Sequence, residues 1–424
     1  MRTLKLISLV GATLLAAGSP SSLAANPQSN PSPQTALIAT LQSNATQKEK
    51  ADACRELARV GGRDAVAPLA ALLPDERLGH MARYALERIP DPAVDNAFRS
   101  ALDRLTGRPL VGVIGSVGVR RDAKAVKPLA RLLSNPDPET AQAAARALGS
   151  IGTPEAGRVL LAAWPPASPA NRASFAEGLF RCAETLLAQG RRKDAIRLYD
   201  LLRKETESAA VRAAAWRGAM TARKTDDAVP LLREALRSND RVVFNAGLRV
   251  LLETPAKAAA DAALGEMPRL SAMDKAQVVQ ILAQLRDPRV MPALVALATN
   301  AEKPAVLAAL RAFPEIGDPS PVPTLVSLVD HSDRELREAA LESLAAMPGP
   351  EADQAILAML NHPDPARKLT GLDLAARRRL TPAVNQINQL ARHHDAQVRL
   401  AAVRRLGEMG GSAEIPPVLD WLCR

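Results

Sequence analysis

The chain has little aromatic character: its 424 residues include three Trp, two Tyr and five Phe. A core without large rings must be built from Ala, Leu and Val. That suits many small, similar helix–helix interfaces better than one deep interior, and Ala and Leu favour helix. Cysteine is also scarce. Cys54, Cys182 and Cys423 are odd in number and far apart, which excludes a disulfide-stapled framework. Cys54 and Cys182 fall in apolar-periodic helices and are expected as small core residues. Cys423, next to the last residue, is left as an exposed thiol or as half of an intermolecular disulfide. Missing too are the Gly-x-Ser-x-Gly elbow, the Walker-type phosphate loop and the dinucleotide Gly-x-Gly-x-x-Gly. Gly112, Gly115 and Gly118 recur at spacing three, but no strand precedes them, so they are read as allowing close helix approach.

What the chain does have is a period of 31. Asp333, Asp364 and Asp395 are evenly spaced, each followed four residues later by a base (Arg337, Lys368, Arg399) and preceded two residues earlier by a histidine (His331, His362, His393). A fixed period of this length predicts helical hairpins, each too small to bury its apolar face alone. In the clearest unit the first helix carries Val322, Leu325, Val326, Leu328 and Val329. The second carries Leu336, Ala339, Ala340, Leu341 and Leu344, with Asp333 placed to cap it. The 33 prolines are expected at helix entrances, where a missing N–H costs nothing. The fold expected is all-α: a right-handed α-solenoid of about twelve stacked hairpins, followed by a lone thirteenth helix from Ile415 to Cys423.

The first 24 residues read as a secretory signal: Arg2 and Lys5, an apolar stretch from Leu6 to Ala17, and small residues at Ser22 and Ala24 before a cut. Twelve apolar residues are too few to span a bilayer, so an exported protein, periplasmic or secreted, without stable membrane insertion is expected. Residues 25–45 are read as a disordered spacer (Asn26 to Gln34) and a first short helix. Repeats follow over 46–164, an irregular segment over 165–225, and further repeats over 226–424, with a domain boundary at Pro165–Pro169 as the alternative. Loss of Arg2 and Lys5 takes the formal charge from +10 to +8. Such a mild excess, with few stacking rings, argues against nucleic acid as partner.

The run Asp395-Ala-Gln-Val398-Arg399-Leu-Ala401-Ala402-Val-Arg-Arg-Leu406-Gly407 resembles the HEAT repeat, more narrowly the short variety also found in phycobilin lyases, over most of residues 46–424. The resemblance implies a scaffold that binds protein partners. It also implies that Asp333, Arg337, Asp364, Lys368, Asp395 and Arg399 form a structural ladder along the stack. Residues 181–199, with Gly190 at the turn, resemble a tetratricopeptide-type hairpin. One metalloenzyme family of HEAT type, deoxyhypusine hydroxylase, binds iron through repeated His-Glu pairs, and no His-Glu dipeptide occurs here. A two-layer metal site at His362 with His393 or His394, or a bilin-lyase-like activity, is the enzyme alternative. The histidines are otherwise expected to cover the C-terminal carbonyls of the first helices.

The expected function is therefore a non-catalytic scaffold without cofactor or metal. Candidate contact residues are the polar positions of the last second helices, Arg334, Glu338, Glu342, Asp373, Arg378, Arg404 and Arg405. Trp421 is added in the final helix, as a docking or self-association surface.

Overall fold

The computed structural model describes residues 32–409. The signal-like segment, Trp421, Cys423 and the thirteenth helix lie outside them. Contacts divide the chain into two compact units at Val94/Asp95. That boundary is not among those expected from the sequence, and the Pro165–Pro169 run lies inside the second unit.

The first unit holds α1 (Pro33–Gln42), α2 (Gln47–Val60), α3 (Arg63–Ala71) and α4 (Gly79–Arg88). Helix α1 starts inside the stretch read as spacer. Thr46 opens α2 with a capping box: its hydroxyl accepts from the Glu49 N–H while the Glu49 carboxylate accepts from the Thr46 N–H. Cys54, Leu57, Leu69 and Leu86 are fully buried here, and burial pushes the Cys54 thiol up to about 11.

The boundary falls within α5 (Pro92–Leu102). The second unit continues with α6 (Gly107–Arg120), α7 (Val126–Leu132), α8 (Pro138–Ile151), α9 (Pro154–Ala163) and α10 (Pro169–Ala188). Next come α11 (Arg192–Glu205), α12 (Ala209–Thr221), α13 (Thr225–Leu236), α14 (Arg241–Glu253), α15 (Ala256–Glu266), α16 (Ala272–Leu285) and α17 (Met291–Asn300). The described chain closes with α18 (Lys303–Ile316), α19 (Val322–Leu328), α20 (Arg334–Ala346), α21 (Pro350–Leu360), α22 (Pro365–Arg377), α23 (Val384–Leu390) and α24 (Ala396–Met409). The 24 helices pair as twelve hairpins, with no strand among the described residues. Even-numbered helices pack on one another as one row, α6 on α8 on α10 and α12 through α24; the first helices form a second row.

The period reaches much further than the last three repeats. Second helices open at Asp240, Ser271, Glu302, Asp333 and Asp364, each 31 residues after the one before. Thr106, Asp137 and Ser168 keep the same step. Between Ser168 and Ser208 the register breaks, because α10 is 20 residues long where its neighbours have 13 or 14, and between Ser208 and Asp240 it slips by one residue more. The tetratricopeptide-like stretch is this α10–α11 pair, with Gly190 at φ +75° in the turn.

Small residues set how closely the second helices approach. Gly118 lies against Ala147, and Gly149 against Gly178. Of the spaced glycines Gly118 serves this purpose, whereas a Cβ on Gly115 would meet nothing within 4 Å. Prolines also depart from expectation. Many do sit at entrances, as Pro138, Pro154 and Pro365 do, but Pro68, Pro230 and Pro314 lie inside helices. At Pro128 and Pro292 the chain enters through a 3-10 turn (Ala123–Ala125, Pro288–Val290), and the helix starts only two or one residues before the proline.

Three arginines take the left-handed conformation that Gly152 and Gly317 take at the ends of α8 and α18: Arg121, Arg286 and Arg379. A Cβ is unfavourable there. Arg286→Gly is therefore expected to raise stability by about 0.5–1 kcal/mol, read as a higher urea midpoint at unchanged slope.

Candidate partner-binding face

Five second helices, α8, α14, α20, α22 and α24, start from one turn design. Asp333, Asp364 and Asp395 accept from the N–H groups of the residue two positions on, and Asp333 and Asp395 also from the third. Two residues upstream of each cap sits a second acceptor, receiving the cap's own N–H. It is Asn135 Oδ1 for Asp137 (2.9 Å), Ser238 Oγ for Asp240 (3.1 Å), and His Nδ1 for Asp333, Asp364 and Asp395 at 3.0–3.1 Å. The histidines thus accept a hydrogen bond from the turn ahead of them, where cover of the carbonyls behind was expected. Their spacing follows from a turn that needs a short-range acceptor, a job Asn and Ser also do. Among the described residues no three His, Cys, Asp or Glu side chains group as metal ligands.

An imidazole can accept at Nδ1 only while that nitrogen is unprotonated. Burial, then His394 (ring centroids 4.1 Å apart), then Lys368 hold the His393 pKa below its ordinary 6.5, with Asp395 opposing. Folded His393 therefore releases its proton more readily than unfolded His393. Its contribution is present above about pH 6.5 and is lost as pH falls through the lower folded value. Since Asn135 supplies the same acceptor without titrating, His393→Asn should show a smaller drop in thermal midpoint than wild type between neutral and mildly acidic buffer. Equal slopes would show that the imidazole bond carries no pH dependence.

The expected Asp–base ladder is made differently. Arg337 Nη1 donates to the His331 carbonyl (2.7 Å) and Arg399 Nη1 to those of His393 and His394 (2.8 and 3.2 Å), while Lys368 Nζ reaches the Leu360 carbonyl (3.4 Å). Among the described residues none of the three pairs with an aspartate of the next layer. The reason is reach: the base sits one turn above the carbonyls that end the preceding helix, and satisfies them first. Layer-to-layer pairing comes from other bases. Arg212 bonds both its own turn's carbonyls and Asp240, and Lys303 reaches Asp333 and Glu335 at 2.8 Å.

The predicted contact residues separate into two groups. Arg334 and Glu338 pair with each other on the open face of α20, Arg334 81% exposed; Glu342 and Arg404 are exposed as well. Asp373 and Arg405 bond across α22 and α24 (2.9 Å), with Arg377 and Glu408 beside them. Arg378 is no contact residue. Its side chain is 15% exposed and bonds Asp353, and its Nη1 donates to the carbonyls of Ala345 (2.9 Å) and Met347 (2.6 Å) at the end of α20. Trp421 lies outside the described residues.

Nine residues into the second helices runs a line that the sequence reading found only at its end. Glu342, Asp373 and Arg404 continue backward at the same 31-residue step as Arg311, Gln280 and Arg249, all exposed or half-buried. Arg217 and Arg146 hold the equivalent place nine residues after Ser208 and Asp137. The signal that would have found them is the same period, run past the last three repeats. Between α12 and α14 the line opens into a cleft of about 460 Å³. Arg217, Asn245 and Arg249 form its walls, over Ala210, Ala213, Ala214, Val242 and Ala246. Between α8 and α10 polar side chains bridge the layers: Gln142 with Asn171, Arg146 with Ser174 (2.8 Å) and Arg181 with Ser150.

A family model for HEAT repeats matches residues 110–179 and 307–374. No curated protein sequence matches the chain. Among solved structures it is similar to the karyopherin Kap121p bound to the extreme C-terminus of the protein phosphatase Cdc14p, at 11% identity and TM-score 0.53, over 92% of this chain and 51% of that one. Kap121p bound to Nup53p is similar at 12% identity and TM-score 0.52, over 92% and 51%. Human deoxyhypusine hydroxylase in complex with glycerol is matched at 22% identity over 67% of this chain and 96% of that one, with a TM-score of only 0.27. The chain spans about half the length of the karyopherin chains it matches.

Proposed function

We propose, from the premise that this chain is a HEAT-repeat protein, that it is an exported, non-catalytic scaffold whose second-helix row holds a protein partner. The observation that carries the reading is the constant 31-residue register of that row from Asp240 to its last described helix. From Asp240 onward every second helix buries most of its Ala, Leu and Val and offers a polar side chain at the same outward position. Such a surface grows with repeat number and suits an elongated ligand. The structural neighbours that share the fold, Kap121p with Cdc14p and with Nup53p, are bound to protein partners. Export rests on the charged, apolar and small-residue order of residues 1–24.

Two measurements test the proposal. Mass analysis of the protein recovered from expressing cells should give an N-terminus at Ala25; an intact Met1 in all fractions would end the export reading. Copurification from the exported fraction, then reconstitution from two purified proteins and sizing by light scattering, should give a complex of fixed stoichiometry. A purified chain that is monomeric, partnerless in reconstitution and able to turn over a substrate would overturn the scaffold reading.

A further inference from the structure

The outward line changes sign along its length. Arg217, Arg249 and Arg311, with Gln280 between, occupy it on α12 to α18, and Arg146 holds it on α8; on α10 the same place holds Glu177, paired with Arg181, and on α20 and α22 it holds Glu342 and Asp373. Arg181 and Arg217 each keep one acid, Glu177 (3.0 Å) and Glu253 (2.9 Å), at half-exposed positions. Arg249 and Arg311 form no ion pair among the described residues, and Arg249 shares with Arg217 the alanine-floored cleft between α12 and α14. Four successive layers thus present positive or neutral donors and no acid at their centre.

We propose that this line binds an acidic polypeptide segment lying across the second helices in an extended, polyproline-type conformation, with a carboxylate on every third residue. The inference rests on the scaffold reading above and names the chemistry of the partner. The match is one of spacing. Packed helices lie ~8–10 Å apart, while polyproline II rises ~3.1 Å per residue with three residues per turn, so every third side chain returns to the same face after ~9 Å. One carboxylate then meets each layer, bidentate where it meets an arginine and hydrogen-bonded where it meets Gln280. Such a segment arrives already extended and loses little entropy on docking. The acids on α20 and α22 end the site and set its direction. Rings on which bases could stack are sparse, which favours a polypeptide over a single-stranded nucleic acid.

The test uses the full chain and a fluorescein-labelled peptide of four Glu-Pro-Pro triplets, read by anisotropy. Binding should weaken with added salt, and Arg249→Ala with Arg311→Ala should cost about five- to tenfold in affinity. Both side chains are solvent-exposed, so an unchanged thermal midpoint certifies the fold. Arg404→Ala, in register but beyond the acids, should bind as wild type does. An isomeric peptide with its four glutamates contiguous should bind more weakly. The inference is overturned by an unaffected double variant, by equal loss in Arg404→Ala, by equal affinity for the isomer, or by oligothymidylate of equal charge displacing the peptide. No binding of the peptide at all also sinks it, while the two-protein reconstitution judges the scaffold reading separately.

Discussion

Gly178→Ala is expected to destabilise the second unit by about 2–4 kcal/mol, more than alanine's helix propensity can return. A Cβ there would run into the backbone carbonyl of Ala145, and the facing Gly149 has its own Cβ position 2.5 Å from the Gly178 oxygen and 2.8 Å from its Cα. Neither obstacle is a side chain that can swing away. Helices α8 and α10 would have to separate along their whole contact, and Leu148 and Leu179, both fully buried, would lose packing with them. Thermal or urea unfolding measures this directly. An alanine variant as stable as wild type would mean that the two helices can slide apart without loss, so that backbone-to-backbone approach does not hold this layer together. Gly115→Ala, where a Cβ meets open space, should stabilise slightly through propensity alone and serves as the control.

Arg378→Ala is expected to cost about 2–4 kcal/mol, because it strands several groups at once. The guanidinium closes the C-terminus of α20 through the carbonyls of Ala345 and Met347, and it holds Asp353 of α21 with both Nε and Nη2 at 2.9 and 2.7 Å. Water can reach little of this site, since the Arg378 side chain is 15% exposed. Arg378→Lys keeps the charge and loses the fork, and should recover only part of the loss. Arg377→Ala, at the neighbouring and more exposed position, should change stability by less than about 0.5 kcal/mol. If the two alanine variants melt together, Arg378 is a surface residue after all and returns to the set of partner contacts.

Arg377 and Arg378 show where reading the sequence reaches its limit. Both lie in one run of three arginines at a helix end, and helical spacing alone gives each a plausible outward position. Only the placement of the preceding hairpin decides that Arg378 turns back onto α20 while Arg377 stays more exposed. The histidines teach the same lesson. Their 31-residue spacing announces a repeated structural task, yet whether the imidazole donates to the helix behind or accepts from the turn ahead depends on backbone dihedrals that composition does not encode. Trp421 and the expected thirteenth helix fall outside the described residues.

By itself the sequence determined the local structure: helix-forming Ala and Leu at a 3.6-residue spacing, capped by an aspartate and repeated every 31 residues, can only bury their apolar stripe by stacking on copies of themselves. It also determined the outward line of charge, since a strict period places equivalent residues on equivalent sites. The tertiary structure alone decided which small residues touch and which basic side chains are spent inside the stack. The close pair Gly149 and Gly178 and the idle Gly115 are alike as residues and differ only in what the neighbouring layer brings against them. Arg337 and Arg399 are consumed by carbonyls left open at a helix end, whereas Arg249 and Arg311 have no ion-pair partner among the described residues. Contacts between layers depend on distances of a few tenths of an ångström between backbones, and those are properties of the assembled stack rather than of any one repeat.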